Sequence, residues 1–138
     1  MAATLVPLAT ATPAYAVACT HDSGTGNWAA FCSRDGSDSD PGGVSGSAKL
    51  SNLRTPDYAQ INFKAKGEKF TLINETGYTA IFHAYYYYGE QRYQFFEGVR
   101  VGAFQKQKIN KTLSENRRVY VMACVQERGC AAISTLRS

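Results

Sequence analysis

Four consecutive tyrosines, a glycine and three further aromatics are packed into the stretch FHAYYYYGEQRYQFF, Phe82 to Phe96. Tyr88-Gly89-Glu90-Gln91 places glycine at the first central position, which suits a two-residue type II′ turn whose twist matches that of paired strands. The register that follows sets Tyr88 opposite Gln91, Tyr87 opposite Arg92, Tyr86 opposite Tyr93 and Tyr85 opposite Gln94. Continued, it sets Ala84 opposite Phe95 and His83 opposite Phe96. Successive strand side chains point to opposite faces, so the tyrosine run must serve two surfaces. One carries Phe82, Ala84, Tyr86, Tyr93 and Phe95, and is apolar enough to be core. The other carries His83, Tyr85, Tyr87, Arg92, Gln94 and Phe96, a mixture suited to a protein or a glycan, with a cross-strand cation–π pair between Tyr87 and Arg92. The alternative is that both faces are buried within a sandwich.

Elsewhere apolar residues recur with period two in YAQINFKA (Tyr58 to Ala65), KFTLIN (Lys69 to Asn74), VRVGAF (Val99 to Phe104) and RVYVMACV (Arg118 to Val125). Turn signals at Lys66-Gly67, Glu75-Thr76-Gly77 and Glu97-Gly98 separate these runs, and ACVQERGCAAIS reads as a hairpin turning across Gln126 to Gly129. No segment has a capped helical period. The pattern predicts an all-β domain over 50–138, with six or seven strands in a small antiparallel β-sandwich or barrel.

The first sixteen residues are small and apolar and end in Ala14-Tyr15-Ala16, a signal-peptidase pattern, although no basic residue follows Met1. The expectation is a signal peptide over 1–16 and a secreted, extracellular protein that does not span a membrane. Four cysteines in a short secreted chain argue for two disulfides, and proximity favours Cys19 with Cys32 and Cys124 with Cys130. Zinc is disfavoured because no Cys-x-x-Cys occurs. Charge is uneven: Cys19 to Lys49 holds two basic residues against four acidic ones, net −2, whereas Leu50 onward holds thirteen against seven, net +6. The basic part suits an anionic partner such as a cell-wall polymer or an acidic protein surface; ordinary solubility is the simpler explanation at this magnitude.

Between these parts, SRDGSDSDPGGVSGSA is almost wholly Gly, Ser and Asp, a composition that predicts a flexible linker over 33–49. It would separate a cystine-containing N-terminal arm, 17–32, from the β domain. Asp38, Asp40 and Gly43 match early positions of a calcium loop, but Lys49 stands where its bidentate glutamate belongs. The arm holds the sole tryptophan, Trp28, beside Phe31. An apolar tip of this kind would insert into a partner or fold back as a lid.

The motifs of catalysis are missing. His21-Asp22-Ser23 is adjacent in sequence and cannot surround one reacting atom. Glu90 and Glu97 flank one hairpin, but Glu90 sits in its turn. There is no phosphate-binding glycine loop and no ligand cluster, so neither a cofactor nor a metal is expected. FQKQKINK and Arg117-Arg118 lack interleaved aromatics, so no nucleic-acid role is expected; Lys106 and Lys108 would instead guard a sheet edge. Asn74-Glu75-Thr76 and Asn110-Lys111-Thr112 match the glycosylation sequon.

An export signal, a short cysteine-containing segment, a Gly/Ser/Asp linker and a β domain closing in the hairpin Cys124 to Cys130 together resemble the connector subunit of secreted bacterial umbrella toxin particles. That resemblance implies a non-catalytic adaptor. Its Cys19 to Cys32 arm, with Trp28 and Phe31, would enter a cleft of a lectin subunit of trypsin-like fold, while the β domain would hold a large toxin subunit. Two other readings stand beside it. One is a secreted protease or glycosidase inhibitor acting through a disulfide-closed loop around Arg128 or Trp28. The other is a carbohydrate-binding module using Tyr85, Tyr87 and Arg92.

Overall fold

Strands dominate because the apolar side chains recur every second residue, a spacing that only an extended backbone can gather on one face. The computed structural model describes residues 15–19, 21–22, 26–36, 42–113 and 116–138. Its strands are β1 (Tyr15–Val17), β2 (His21–Asp22), β3 (Trp28–Gly36), β4 (Val44–Asn52), β5 (Tyr58–Lys64) and β6 (Lys69–Glu75), followed by β7 (Ala80–Tyr88), β8 (Gln91–Val101), β9 (Gln105–Asn110), β10 (Arg118–Val125) and β11 (Gly129–Arg137). All pairings are antiparallel. The main path runs β8-β7-β10-β11-β4-β5-β6-β9, with β3 and β1 added beside β4 and β2 beside β11. The protein is therefore all-β, one nearly closed barrel-like sheet. Both expected disulfides form, Cys19–Cys32 and Cys124–Cys130.

Burial follows the alternation. Ala59, Ile61 and Phe63 of β5, Phe70 and Leu72 of β6, and Val119, Val121 and Ala123 of β10 point inward and are almost completely buried. β10 also packs across the interior against β4 and β5, to which it is not hydrogen-bonded. The outer surfaces of β10 and β5 consequently face away from each other.

The expected linker is where sequence and structure part. Residues 33–36 end β3 and 44–49 begin β4, and these two strands pair without a break from Trp28 opposite Asn52 to Gly36 opposite Val44. Only 37–41 of that stretch lie outside the described residues. Small side chains here serve close packing. A Cβ on Gly46 would run into the Ser33 carbonyl oxygen and would lie 2.6 Å from Leu136 Cδ2, so only glycine fits where β3, β4 and β11 crowd together. Ala48 and Leu50 of the same strand are fully buried. The arm is thus built into the barrel through β3. Of the expected signal peptide, 1–14 lie outside the described residues, and the cleavage point after Ala16 falls within β1, whose Tyr15 pairs with Arg34.

Strand β8 departs from expectation more subtly. Gln91 to Gln94 hold the anticipated register against Tyr88 to Tyr85, but Ala84 then pairs with Phe96, leaving Phe95 as an extra residue. A second irregularity sets Glu97 and Gly98 together against His83 before Phe82 pairs with Val99. Glu97-Gly98 is therefore a bulge inside one long strand rather than a turn between two.

Candidate binding faces

The β7–β8 hairpin turns where expected, and Gly89 supplies the positive φ, 63°, that the first central position needs. Its outward residues meet β10, a strand thirty residues later in sequence that pairs directly with β7. Tyr85 lies opposite Tyr120 and Tyr86 opposite Val119, which brings Arg118 level with Tyr87. The outcome is a series of stacked guanidiniums. Arg92 sits 4.2 Å above the Tyr85 ring, Arg118 4.2 Å above Tyr87 and Arg117 4.0 Å above Tyr88. The anticipated Tyr87–Arg92 pair is replaced by these partners because Arg92 reaches diagonally to Tyr85 while β10 delivers Arg118. Such contacts are worth about 0.5–1 kcal/mol at exposed sites and hold the heads flat.

Beneath Arg92 the network is tighter. Tyr85, 6 % exposed, donates its hydroxyl to Glu97 Oε2 at 2.8 Å and stacks parallel to His83. Burial raises the Tyr85 phenol to about 12, reinforced by the Glu97 hydrogen bond, so it remains a donor. Burial lowers the His83 pKa against the opposing pull of Glu97. This suits its role, because Nδ1 accepts a 3.0 Å hydrogen bond from the Gly98 amide and must be unprotonated to do so. Burial likewise raises the Tyr120 phenol.

Of the residues expected to meet a partner, His83, Tyr85, Tyr87 and Arg92 share this wall, with Tyr85 nearly covered by its neighbours. Phe96 does not join them. The extra residue in β8 turns both Phe95 and Phe96 inward, where their rings pack on Phe70 at 5.0 and 5.1 Å. Trp28 is also inward, 8 % exposed and part of the core, so it is not an insertion tip; Phe31, on the other side of β3, is 48 % exposed. Sequence reasoning missed Arg118, Tyr120 and Glu97 as members of the wall. Arg117-Arg118 lacks aromatics along the chain, and the crossover to β7 supplies them from a neighbouring strand.

A second face lies on β3, β4, β5, β6 and β9. One register row crosses all five strands as Ser33, Ser47, Asn62, Thr71 and Lys108. Ser33 and Ser47 share a 2.8 Å hydroxyl hydrogen bond, and Gln60 Nε2 donates to Asn62 Oδ1 at 2.6 Å. These residues line a groove of about 500 Å³. In the adjacent row Phe31 lies opposite Lys49 and extends the same face. Lys106 and Lys108 point from β9, which ends the sheet path.

Asn74 is fully buried, and its Nδ2 donates to the carbonyls of Tyr78, Val101 and Gly102, so this sequon is closed to glycosylation in the folded protein. Asn110 is exposed. Among the described residues no group of three or more His, Cys, Asp or Glu is placed to hold a metal ion, and no helix is long and apolar enough to cross a membrane. No protein-family model, curated protein or solved structure matches this chain.

Proposed function

We propose that the protein is a secreted, non-catalytic adaptor that holds two extracellular proteins at once. The observation that carries this reading is the pair of outward walls of unlike chemistry on opposite sides of one barrel. The Arg–Tyr wall of β7, β8 and β10 suits an acidic protein surface, since stacked arginines and tyrosines combine charge, hydrogen bonding and rigid contact area. The polar groove with Phe31 suits a second partner that brings hydrogen-bonding groups and one apolar anchor. Two disulfides fit an oxidising compartment. By the resemblance given above, the partners are a lectin subunit, on the Phe31 wall, and a large toxin subunit.

The test is co-purification from the native culture medium with an affinity tag inserted in the exposed turn 53–56, followed by mass spectrometry of what is retained. Wild type should retain two proteins. The pair Arg92→Ala and Arg118→Ala should lose one of them, and Phe31→Ser with Asn62→Ala should lose the other. Retention of a single partner, or simultaneous loss of both from either variant, overturns the adaptor reading.

A further inference from the structure

Arg118 and Arg137 are direct cross-strand partners of β10 and β11, and Arg117 precedes Arg118. Like charges placed opposite each other destabilise a sheet, so this arrangement is maintained at a cost. All three arginines line one groove of about 460 Å³ at the tip of the β7–β8 hairpin. Two are held flat on tyrosines, and Arg137 Nη1 donates to the Asn116 carbonyl at 3.0 Å. None of the three forms an ion pair among the described residues, and Glu90 is the sole carboxylate of the lining. Among the described lining residues three positive charges stand against one negative, a net of +2, and stacking has already oriented the planar N–H forks of Arg117 and Arg118.

We propose that this groove is a binding site for a tetrahedral oxyanion, phosphate or sulfate, of the kind carried as an ester on extracellular polymers. Guanidinium forks pair with such oxygens bidentately, and a dianion balances the charge that the three arginines leave. Part of the binding free energy comes from relieving the Arg118–Arg137 repulsion. The site shares Tyr87 and Arg118 with the Arg–Tyr wall and adds Arg137 from β11, so it goes beyond the adaptor reading, which requires a protein on that wall and no oxyanion.

The test uses thermal unfolding of the full chain in sodium phosphate, sodium sulfate and sodium chloride at equal ionic strength, for wild type, Arg137→Gln and the remote control Lys66→Gln. General salting effects of sulfate and phosphate act on all three proteins alike and cancel in the comparison. Wild type and Lys66→Gln should gain several degrees in Tm in the preferred anion that Arg137→Gln does not gain, because a ligand bound only to the folded state raises its stability. In chloride, Arg137→Gln should melt at or above the wild-type temperature. Calorimetric titration with inorganic phosphate or sulfate should show affinity at least about tenfold weaker for Arg137→Gln, in line with one lost charge-assisted hydrogen bond. Arg118→Lys, which retains the charge but not the fork, should also bind more weakly. A larger increment in phosphate assigns a phosphate ester, and a larger one in sulfate a sulfate ester. Equal increments for wild type and Arg137→Gln in both anions overturn the proposal.

Discussion

Replacing Phe96 by alanine separates the bulged β8 from the regular strand that simple alternation would give. In a regular register Phe96 faces outward, and truncating it would change stability by no more than about 0.5 kcal/mol. In the bulged strand its ring is 7 % exposed and meets Phe70 edge to face at 5.1 Å. An aromatic ring buries roughly 150–250 Å², which at about 25 cal/mol per Å² is about 4–6 kcal/mol of transfer free energy. Partial collapse of the cavity brings the expected loss to about 3–5 kcal/mol, the usual range for a buried Phe truncated to Ala. Urea unfolding followed by circular dichroism would read this as a midpoint lower by roughly 2 M with an unchanged slope. Tyr93→Ala, on a side chain 43 % exposed, is the comparison and should cost about 1 kcal/mol or less. A loss below about 1 kcal/mol for Phe96→Ala would refute the bulge and return Phe96 to the outer face.

Three further outcomes can be checked with the same assay. Asn74→Ala should cost about 3–5 kcal/mol, because it leaves the Val101 carbonyl and the Thr76 amide without the amide group that now satisfies both; a change under about 1 kcal/mol would show that water replaces it. Gly46→Val should lose at least about 2 kcal/mol to overpacking against Ser33 and Leu136, whereas a truly flexible linker would tolerate it. Stability should also bend at both ends of the pH scale. The lowered His83 pKa gives a contribution fully present above the ordinary value of 6.5 and lost as pH falls below it, since the unfolded chain binds the proton first. The raised Tyr85 pKa gives one fully present below pH 10 and lost between 10 and about 12, since the unfolded phenol ionises first. His83→Gln and Tyr85→Phe should flatten the acid and alkaline arms respectively, and arms that persist unchanged would assign the titration elsewhere.

What the sequence made legible was local. The Tyr88–Gln91 turn, the Cys124–Cys130 hairpin and the inward alternation of β5, β6 and β10 follow from neighbours a few residues apart, and each is found as anticipated. Ser, Gly and Ala in 33–49 were ambiguous because small residues mark both a flexible chain and a tightly packed strand. Which one occurs depends on whether β11 and β5 arrive beside it, and no local pattern states that. Phe96 was misplaced for a related reason: an inserted residue leaves no trace in alternation beyond two adjacent apolar residues, which a tyrosine-rich strand conceals. The Arg–Tyr wall was half legible, since β7 and β8 are neighbours in sequence, whereas Arg118 reaches Tyr87 only through the β7–β10 crossover.

The pairing of Val44 with Arg137 has a consequence in time as well as in space. Ninety-three positions separate the two residues, so the sheet cannot close until β11 has emerged, and closing so long a loop costs conformational entropy before any contact repays it. Folding is therefore expected to be slow, in the millisecond-to-second range of strand-rich topologies. Until β11 arrives, β10 has a partner in β7 on one side and shows an unpaired edge on the other, and that interval is when the chain is most exposed to pairing with another copy of itself.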